Sequence, residues 1–386
     1  MKKIYTAILV AVFCATSSVS LHAQFRLTGE TLAAMFPAGV VSPQYNPDGS
    51  VTFRCEAPDA SEVKLSCQML SQDTPMVKDE RGVWTLTVTP EYPDIYPYCF
   101  VIDGTQVADP NNVTMFPNEG FKNSLVDVRG AAPSMQDLQD VPHGKVSYRY
   151  YHSGNVGFDR PMCVFTPAGY DPDGDKLYPV LYLIHGMTDT YETWFKVGRM
   201  NNILDNLIAQ GLCREMIVVM PYANPYPEMM LRGLADRYDA MGTDIVVKEI
   251  VDAVMPYIEK NYKVRKDADG RAVAGFSLGG RQALAAGLGR PDVFHYVCAF
   301  APAIFQNEWN ANFENGTYSD PEAISANLRF LWVSCGIEDR LWNASSQLDK
   351  ALTERSIKHY TYFCGGGHTW MNCRDWLEMV SRQLFR

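Results

Sequence analysis

The chain has 386 residues, of which 47% are hydrophobic and 20% are charged, and its formal net charge at pH 7 is −10. This composition is typical of a globular protein, and the length favours two domains over one. The excess of acidic residues disfavours nucleic acid and anionic membrane surfaces as partners, because both attract basic proteins.

Residues 1–23 have the features of a secretory signal peptide. Lys2 and Lys3 give a positive start, residues 4–13 form a short apolar core, and Ala23 is the small residue before a cleavage site. The apolar core is too short to span a bilayer, and no later stretch is long enough for membrane insertion. We therefore expect an exported protein, located in the periplasm or outside the cell.

An all-β domain is predicted for residues 25–128. Hydrophobic and polar residues alternate in the short runs "GSVTFRCEAP", "EVKLSCQML", "GVWTLTVTP" and "YPYCFVIDG", which turn formers such as "NPDG" and "KDERG" separate. Strands at this spacing, with turn chemistry between them, predict a β-sandwich. Residues 129–145 carry Pro and Gly without strong periodicity, so they are predicted to be a linker.

Buried strands alternate with helices in residues 146–386. The apolar runs "PVLYLIHG", "MIVVMP", "RAVAGFS", "YVCAFAPA" and "RFLWVSCG" indicate strands, and residues 200–211 and 244–262 have helical spacing. This pattern predicts an α/β domain with a parallel sheet covered by helices on both faces. In such sheets the chemistry gathers at the carboxyl ends of the strands.

The stretch "AGFSLGG" places Ser277 between a predicted strand and a predicted helix, with Gly275 and Gly279 on either side. This is the setting of a nucleophile elbow, in which glycines avoid collisions across a sharp turn. The N–H of Leu278 would begin the helix and point toward a substrate oxyanion. A serine in an ordinary glycine-rich loop is the alternative, which the strand and helix around it disfavour.

Two later strand ends supply candidates for an acid and a base. "LWVSCGIEDRLW" carries Glu338 and Asp339, and "FCGGGHTW" carries His368. Asp339 is favoured as the acid, with Glu338 as the alternative, and its role would be to orient the imidazole that accepts the serine proton. The loop in "LIHGMTD" nominates the N–H of Met187 as the second oxyanion donor.

Aromatic residues near these motifs are candidates for contact with an acyl ring or a sugar, namely Trp194, Phe305, Trp309 and Trp370. Trp309 is favoured, because its neighbours in "FQNEWNANF" are polar and the stretch follows a strand end. Core packing is the alternative for each of the four. His185 precedes the glycine of the predicted oxyanion loop and is expected to be a structural support rather than a base.

The chain contains ten cysteines and no C-x-x-C pair, so a zinc site is not indicated. Most of them lie in apolar, strand-like runs, where buried free thiols are expected. A single disulfide between Cys335 and Cys364 is the alternative, because export would permit it. We expect neither a metal ion nor an organic cofactor.

Residues 140–386 resemble carbohydrate esterase family 1, the group of feruloyl and acetylxylan esterases, through "YPVLYLIHGMTDTYETWF", "RAVAGFSLGG", "CGIEDRLW" and "GGHTWMNCRDWL". The resemblance implies an α/β-hydrolase fold and a two-step hydrolysis through an acyl-enzyme, with Ser277, Asp339 and His368 as the triad. Residues 25–128 are similar to the Ig-like early-set domains of carbohydrate-binding module family 48, through "SPQYNPDGSVTFRCEAPDASEVKL" and "YPYCFVIDGTQVADPNN".

Together these features predict a secreted serine esterase that removes acyl groups from plant cell-wall polysaccharide, first of all a feruloyl esterase acting on arabinoxylan. The expected partner is acylated xylan or a xylo-oligosaccharide. Acetylxylan esterase is the alternative within this class, because the sequence does not give the size of the acyl pocket. A non-catalytic glycan-binding protein is the alternative from another class, and the complete set of serine, acid and histidine disfavours it.

Overall fold

A computed structural model describes residues 39–236, 242–316, 318 and 320–386. The predicted signal peptide, residues 1–23, and the start of the predicted sandwich, residues 25–38, lie outside the described residues. Two units follow one another along the described chain, an all-β unit that ends near residue 127 and an α/β unit that begins at residue 145.

The all-β unit consists of antiparallel strands in two sheets. The strands are β1 (Gln44–Tyr45), β2 (Val51–Glu56), β3 (Val63–Cys67), β4 (Thr74–Pro75), β5 (Val77–Lys78), β6 (Val83–Val88), β7 (Ile95–Ile102), β8 (Thr105–Val107) and β9 (Ser124–Asp127). One sheet has the order β1-β2-β6-β5, and the other has the order β4-β3-β7-β8 with β9 paired to β7. The four runs that the sequence marked as strands are β2, β3, β6 and β7.

The two sheets bury a common hydrophobic core between them. Side chains alternate along a strand, so Phe53 of β2 and Tyr98 of β7 both point inward, with ring centroids 4.8 Å apart in an edge-to-face arrangement. Burial of each such ring contributes about 1.5–3 kcal/mol. A β-sandwich is therefore what the described residues form, while its Ig-like, carbohydrate-binding-module assignment stays a prediction.

The α/β unit is built on an eight-stranded sheet. Its strands are β10 (Lys145–Ser153), β11 (Phe158–Thr166), β12 (Val180–Ile184), β13 (Ile217–Pro221), β14 (Arg271–Phe276), β15 (Tyr296–Phe300), β16 (Phe330–Gly336) and β17 (Tyr360–Cys364). The order is β10-β11-β13-β12-β14-β15-β16-β17, and all strands from β13 to β17 run parallel. The N-terminal strands β10 and β11 add an antiparallel edge.

Helices connect the parallel strands and cover the sheet. They are α1 (Thr193–Lys196), α2 (Met200–Ala209), α3 (Tyr226–Leu231), α4 (Thr243–Glu249), α5 (Met255–Asn261), α6 (Leu278–Gly289), α7 (Gln306–Asn315), α8 (Pro321–Asn327), α9 (Trp342–Glu354) and α10 (Trp370–Ser381). The single helix predicted for residues 244–262 is α4 and α5 joined by a π-helical turn, Ile250–Val254. Pro256 has no N–H to donate, which accounts for the widened turn just before it.

Each face of the sheet has its own core, because strands of a parallel sheet bury both of their faces. Val180 and Tyr182 of β12 pack on one side, and Leu181 and Leu183 pack on the other. All four side chains are almost completely inaccessible to solvent. The predicted sheet with helices on both faces is therefore confirmed.

The segment between the two units is irregular but tightly bound. Asn206 of α2 donates from Nδ2 to the carbonyl oxygens of Met135 and Asp137, at 2.9 Å each. Asn202 donates in the same way to Gln136 at 3.0 Å. The predicted linker, residues 129–145, is thus anchored along α2 rather than free, and its last residue begins β10.

The nine cysteines among the described residues are all free thiols. The disulfide considered between Cys335 and Cys364 is therefore wrong. Cys335 lies opposite Phe363 across β16 and β17, and Cys364 lies opposite Gly336, so the two thiols are offset by one residue. In the described part of the chain no helix combines the length and apolarity needed to cross a membrane.

Among the described residues, two ion pairs join the all-β unit to the α/β unit. Arg374 of α10 is almost fully buried and contacts the Asp94 carboxylate and the carbonyl oxygen of Val197 (2.8 Å). Arg199 and Asp127 form the second pair at 3.2 Å, with both side chains more than a quarter exposed. The first pair is withdrawn from water, so its two charges depend on each other, whereas water can solvate the second.

The two pairs are expected to contribute very different amounts to stability. Asp94→Ala leaves the Arg374 guanidinium buried without a counter-charge, so we expect a loss of about 3–5 kcal/mol in unfolding free energy. The matched change Asp127→Ala is expected to cost less than about 1 kcal/mol. Urea unfolding followed by circular dichroism measures both, and equal losses would show that burial does not separate the two pairs.

Candidate active site

Ser277 occupies a strained turn between β14 and α6. Its backbone has φ 57° and ψ −115°, a conformation that a side chain rarely adopts and that costs on the order of 1–3 kcal/mol. A Cβ on Gly275 would lie 2.2 Å from the Gly279 carbonyl oxygen, and a Cβ on Gly279 would lie 2.4 Å from that of His185. Only glycine fits at either position, as the elbow motif predicts.

Backbone hydrogen bonds to the neighbouring strand region hold this turn. The Ser277 N–H donates to the Phe300 carbonyl oxygen at 2.8 Å, and the Ser277 carbonyl oxygen accepts from Ala303 N–H at 2.9 Å. The serine residue is 6% exposed, so it is accessible from one side only. The conformation is therefore fixed by the sheet rather than by the serine itself.

Asp339 and His368 meet at the ends of β16 and β17. Asp339 Oδ2 lies 2.7 Å from His368 Nδ1, and its other oxygen accepts the N–H of Leu341 at 2.8 Å. Asp339 is buried, whereas Glu338 is exposed. The structure thus places Asp339, and not Glu338, against the imidazole, and it leaves Nε2 of the ring as the nitrogen able to accept a proton.

Ser277 and His368 line one cavity of about 290 Å³. The described residues include no direct hydrogen bond between the two side chains, and catalytic hydrogen bonds often tighten only when substrate is bound. The His368 ring is stacked on Phe276, with centroids 4.5 Å apart, which fixes the plane of the imidazole. The serine hydroxyl and the imidazole, which are the two groups that proton transfer requires, thus line the same cavity.

The two predicted oxyanion donors lie at the same end of the sheet. Met187 lines the cavity in the loop after β12, and Leu278 is the first residue of α6, directly after the serine. The first N–H groups of a helix have no partner within it and carry the positive end of its dipole. The two residues thus lie at the edge of the sheet that carries Ser277, and the action of their backbone N–H groups on an oxyanion stays a prediction.

Sequence reasoning missed Asp189, which organises this loop from within. Its carboxylate accepts from Asn118 Nδ2 at 2.9 Å and from the Gly186 N–H at 3.3 Å. Burial raises the pKa of Asp189 to about 7, and the two donated hydrogen bonds oppose that rise. The carboxylate therefore ties the loop to Asn118, which belongs to the other unit.

The segment around Asn118 contacts the same loop through its backbone. The Glu119 N–H donates to the Thr188 carbonyl oxygen at 2.6 Å, and Thr188 itself has a positive φ of 64°. Asn224, after β13, donates to the Glu119 carboxylate at 2.7 Å. Asn118 and Asp189 are 71 positions apart in the chain, so no local pattern signals their contact.

The all-β unit also supplies one wall of the catalytic cavity. Its contributions are Gln68, Pro97, Phe116, Asn118 and Phe121, and the α/β unit contributes Ser277 and His368 to the same cavity. Phe116 and Phe121 form an edge-to-face pair with centroids 5.1 Å apart. The cavity is therefore assembled by both units.

His185 acts as a support, in the way the sequence suggested. Its Nε2 accepts the N–H of Ala223 at 2.9 Å, so Nδ1 carries the proton and donates to the Gly186 carbonyl oxygen at 2.8 Å. Burial lowers the pKa of His185 to about 4, which keeps the ring neutral. The ring joins the ends of β12 and β13 below the cavity.

The predicted aromatic contacts divide into two groups. Trp194 and Trp309 are 1% and 5% exposed and belong to the two cores, so their assignment as substrate contacts is wrong. Trp194 uses its indole N–H within the core, donating to the Ile184 carbonyl oxygen at 3.0 Å. Trp370 does line the catalytic cavity, and Phe305 is exposed beside a neighbouring groove.

The Esterase family model matches residues 153–379, which is more than half of the chain. A curated relative, the endo-1,4-beta-xylanase/feruloyl esterase of Xylanibacter ruminicola, is 28% identical over 360 residues. That alignment covers 89% of this chain and 46% of the relative, so the chain spans less than half the length of that protein.

Solved structures give a consistent likeness. A CE1 ferulic acid esterase from Anaeromyces mucronatus shares 26% identity with a TM-score of 0.57, covering 66% of this chain and 96% of that one. The enterobactin esterase of Shigella flexneri has a TM-score of 0.64 at 18% identity, covering 87% and 93%. At that identity the second likeness shows the fold alone, and its coverage extends over both units.

Removal of the hydrogen bond between Asn118 and Asp189 tests whether it contributes to catalysis. Asn118→Ala deletes the hydrogen bond to Asp189 and loosens the loop that carries Met187, so we expect kcat on a small ester to fall by about tenfold. The control Asn111→Ala changes an exposed asparagine of the same segment and should leave kcat unaltered. An unchanged kcat in a folded Asn118→Ala protein would show that the loop holds its shape alone.

The raised pKa of Asp189 makes a signed prediction for stability. Its folded pKa of about 7 lies above the unfolded value of 3.8, so the contribution it makes at low pH is lost as pH rises through 7. The unfolding free energy of Asp189→Asn minus that of the wild type, measured at pH 5, 6, 7 and 8, is therefore expected to rise by up to about 1.4 kcal/mol per pH unit as the pH increases to 7, and to level off above pH 7. His185 titrates in both proteins and cancels, and a constant difference would contradict the raised pKa.

Proposed function

The chain belongs to the Esterase family and is an esterase, and from that premise we propose that it is an exported serine hydrolase that releases ferulate from arabinoxylan. The observation that carries the proposal is the 2.7 Å contact of Asp339 with His368 in a cavity that Ser277 also lines. An acid, an imidazole and a serine so arranged are the parts needed to activate a hydroxyl. Export rests on the signal features of residues 1–23.

The proposed reaction has two steps. The Ser277 hydroxyl attacks the ester carbonyl while His368 Nε2 takes its proton, and the N–H groups of Met187 and Leu278 stabilise the oxyanion. His368 then protonates the departing sugar hydroxyl, which leaves the acyl group on Ser277. In the second step His368 deprotonates a water molecule that attacks the acyl-enzyme, and it then returns that proton to the Ser277 oxygen as the acid is released.

The cavity wall supports an aromatic acyl group. Phe116, Phe121, Phe276 and Trp370 all line the space next to Ser277. Aromatic rings pack best against other planar rings in offset or edge-to-face geometry. The relatives named as feruloyl esterases act on an ester of this kind, which favours ferulate over acetate for this chain.

Replacement of the nucleophile tests the proposed mechanism. We expect Ser277→Ala to lower kcat on methyl ferulate by roughly 10⁴-fold or more, because the remaining groups have no hydroxyl to activate. The same change should abolish covalent labelling by a fluorophosphonate, while Ser134→Ala, an exposed serine, should label like the wild type. Retained turnover in a clean, folded preparation would remove Ser277 from the mechanism.

The acyl preference is measured on the wild-type protein. Parallel assays on methyl ferulate, a feruloylated arabinoxylan fragment and acetylated xylan compare the two acyl groups directly. Higher kcat/KM on acetylated xylan than on both feruloyl esters would replace ferulate by acetate, with the serine mechanism unchanged.

A further inference from the structure

A second cavity of about 580 Å³ lies beside the catalytic one. It lies between the first turns of α7 and α9, and amide side chains form most of its lining. The amides are Gln306, Asn307 and Asn310 from α7, with Asn343 and Gln347 from α9. Spacings of three and four residues place Asn310 beside both other amides of α7, and Gln347 beside Asn343 on α9.

Within the described part of the chain, the amide side chains of this groove form no hydrogen bonds. Amide side chains elsewhere are used within the fold, as Asn206 and Asn118 show. An amide offers two donors and an acceptor, and a sugar hydroxyl both donates and accepts, so the two match. Phe305, 48% exposed, adds an apolar ring face at one end of the groove.

Arg340 connects this groove to the catalytic cavity, because its side chain lines both. It directly follows Asp339, which holds the catalytic imidazole. Among the described residues Arg340 has no ion pair, and no carboxylate lines the groove. The nearby Glu308 is turned to Arg281 at 2.6 Å. The groove is therefore polar and free of negative charge.

The two sides of the catalytic serine differ in chemistry. The wall contributed by Phe116 and Phe121 is aromatic, whereas the side reached through Arg340 leads to the amide groove. An ester has an acyl arm and an alcohol arm that leave its carbonyl in different directions. With the carbonyl at Ser277, an aromatic acyl arm fits the first side and a glycosyl alcohol fits the second.

We propose that the α7–α9 groove is a glycan subsite that holds the sugar chain from which the acyl group is released. The proposal rests on the proposed function, since it assigns the alcohol side of that same ester. Its volume lies within the range typical of small-molecule sites. The ligand class is a neutral oligosaccharide, bound by amide hydrogen bonds and by Phe305 against the apolar face of a sugar ring.

The test compares small and large esters in the full chain. The double variant Asn310→Ala/Gln347→Ala is expected to lose about tenfold in kcat/KM on a feruloylated arabinoxylo-oligosaccharide, mainly through KM. On methyl ferulate, which has no sugar, the same variant should stay within about twofold of wild type. Gln106→Ala, an exposed amide on β8, is the matched control, and thermal unfolding checks that each protein is folded.

A binding measurement separates this proposal from the proposed function. Xylohexaose titrated into Ser277→Ala by calorimetry should bind, and Phe305→Ala combined with the double variant should weaken that binding by at least about tenfold. Equal losses on both esters, or no xylohexaose binding at about 10 mM, would overturn the glycan subsite. If the wild type hydrolyses neither ester, the proposed function fails, and the titration still tests whether the groove binds a sugar chain.

Discussion

The strained turn at Ser277 is the constraint on which the rest of the site depends. A serine at φ 57° persists only because the next strand region binds its backbone on both sides. Leu278, whose N–H is the predicted oxyanion donor, follows the serine directly as the first residue of α6. Parallel pairing of β14 with β12 and β15, and of β16 with β17, then brings the 185–189 loop, Asp339 and His368 to the same edge of the sheet.

The second requirement is that the loop after β12 keeps its shape. A loop that presents an N–H to a reacting carbonyl has to be held before substrate arrives, because preorganised donors stabilise charge most effectively. Here the support comes from the all-β unit, because Asn118 donates a hydrogen bond to the Asp189 carboxylate and the Glu119 N–H donates one to the Thr188 carbonyl oxygen. The catalytic machinery therefore lies on one unit while part of its rigidity, and one wall of its cavity, comes from the other.

Local sequence patterns predicted what local physics determines. Periodicity and glycine placement predicted strands β2, β3, β6, β7 and β12 to β16, the helices within residues 200–211 and 244–262, and the Ser277 elbow with the helix after it, whereas α1, α3 and α7 to α10 were not predicted. The order of Asp339 and His368 after the serine pointed to a pair that the structure brings within 2.7 Å. The pattern around Trp309 misled, because polar neighbours on a helix face outward while the indole faces inward. The contact between Asp189 and Asn118 could not be predicted from the sequence, because a contact across 71 positions depends on how the two units pack.

The buried pairing of Arg374 with Asp94 has a consequence for how such a protein can be inherited. Recombination that carried residues 146–386 alone into a new gene would strand a guanidinium in an apolar interface and open the catalytic cavity on one side. The β-sandwich is thus not an interchangeable accessory that can be shuffled between enzymes. We expect the two units to be inherited together, and we expect residues 94 and 374 to change together in evolution.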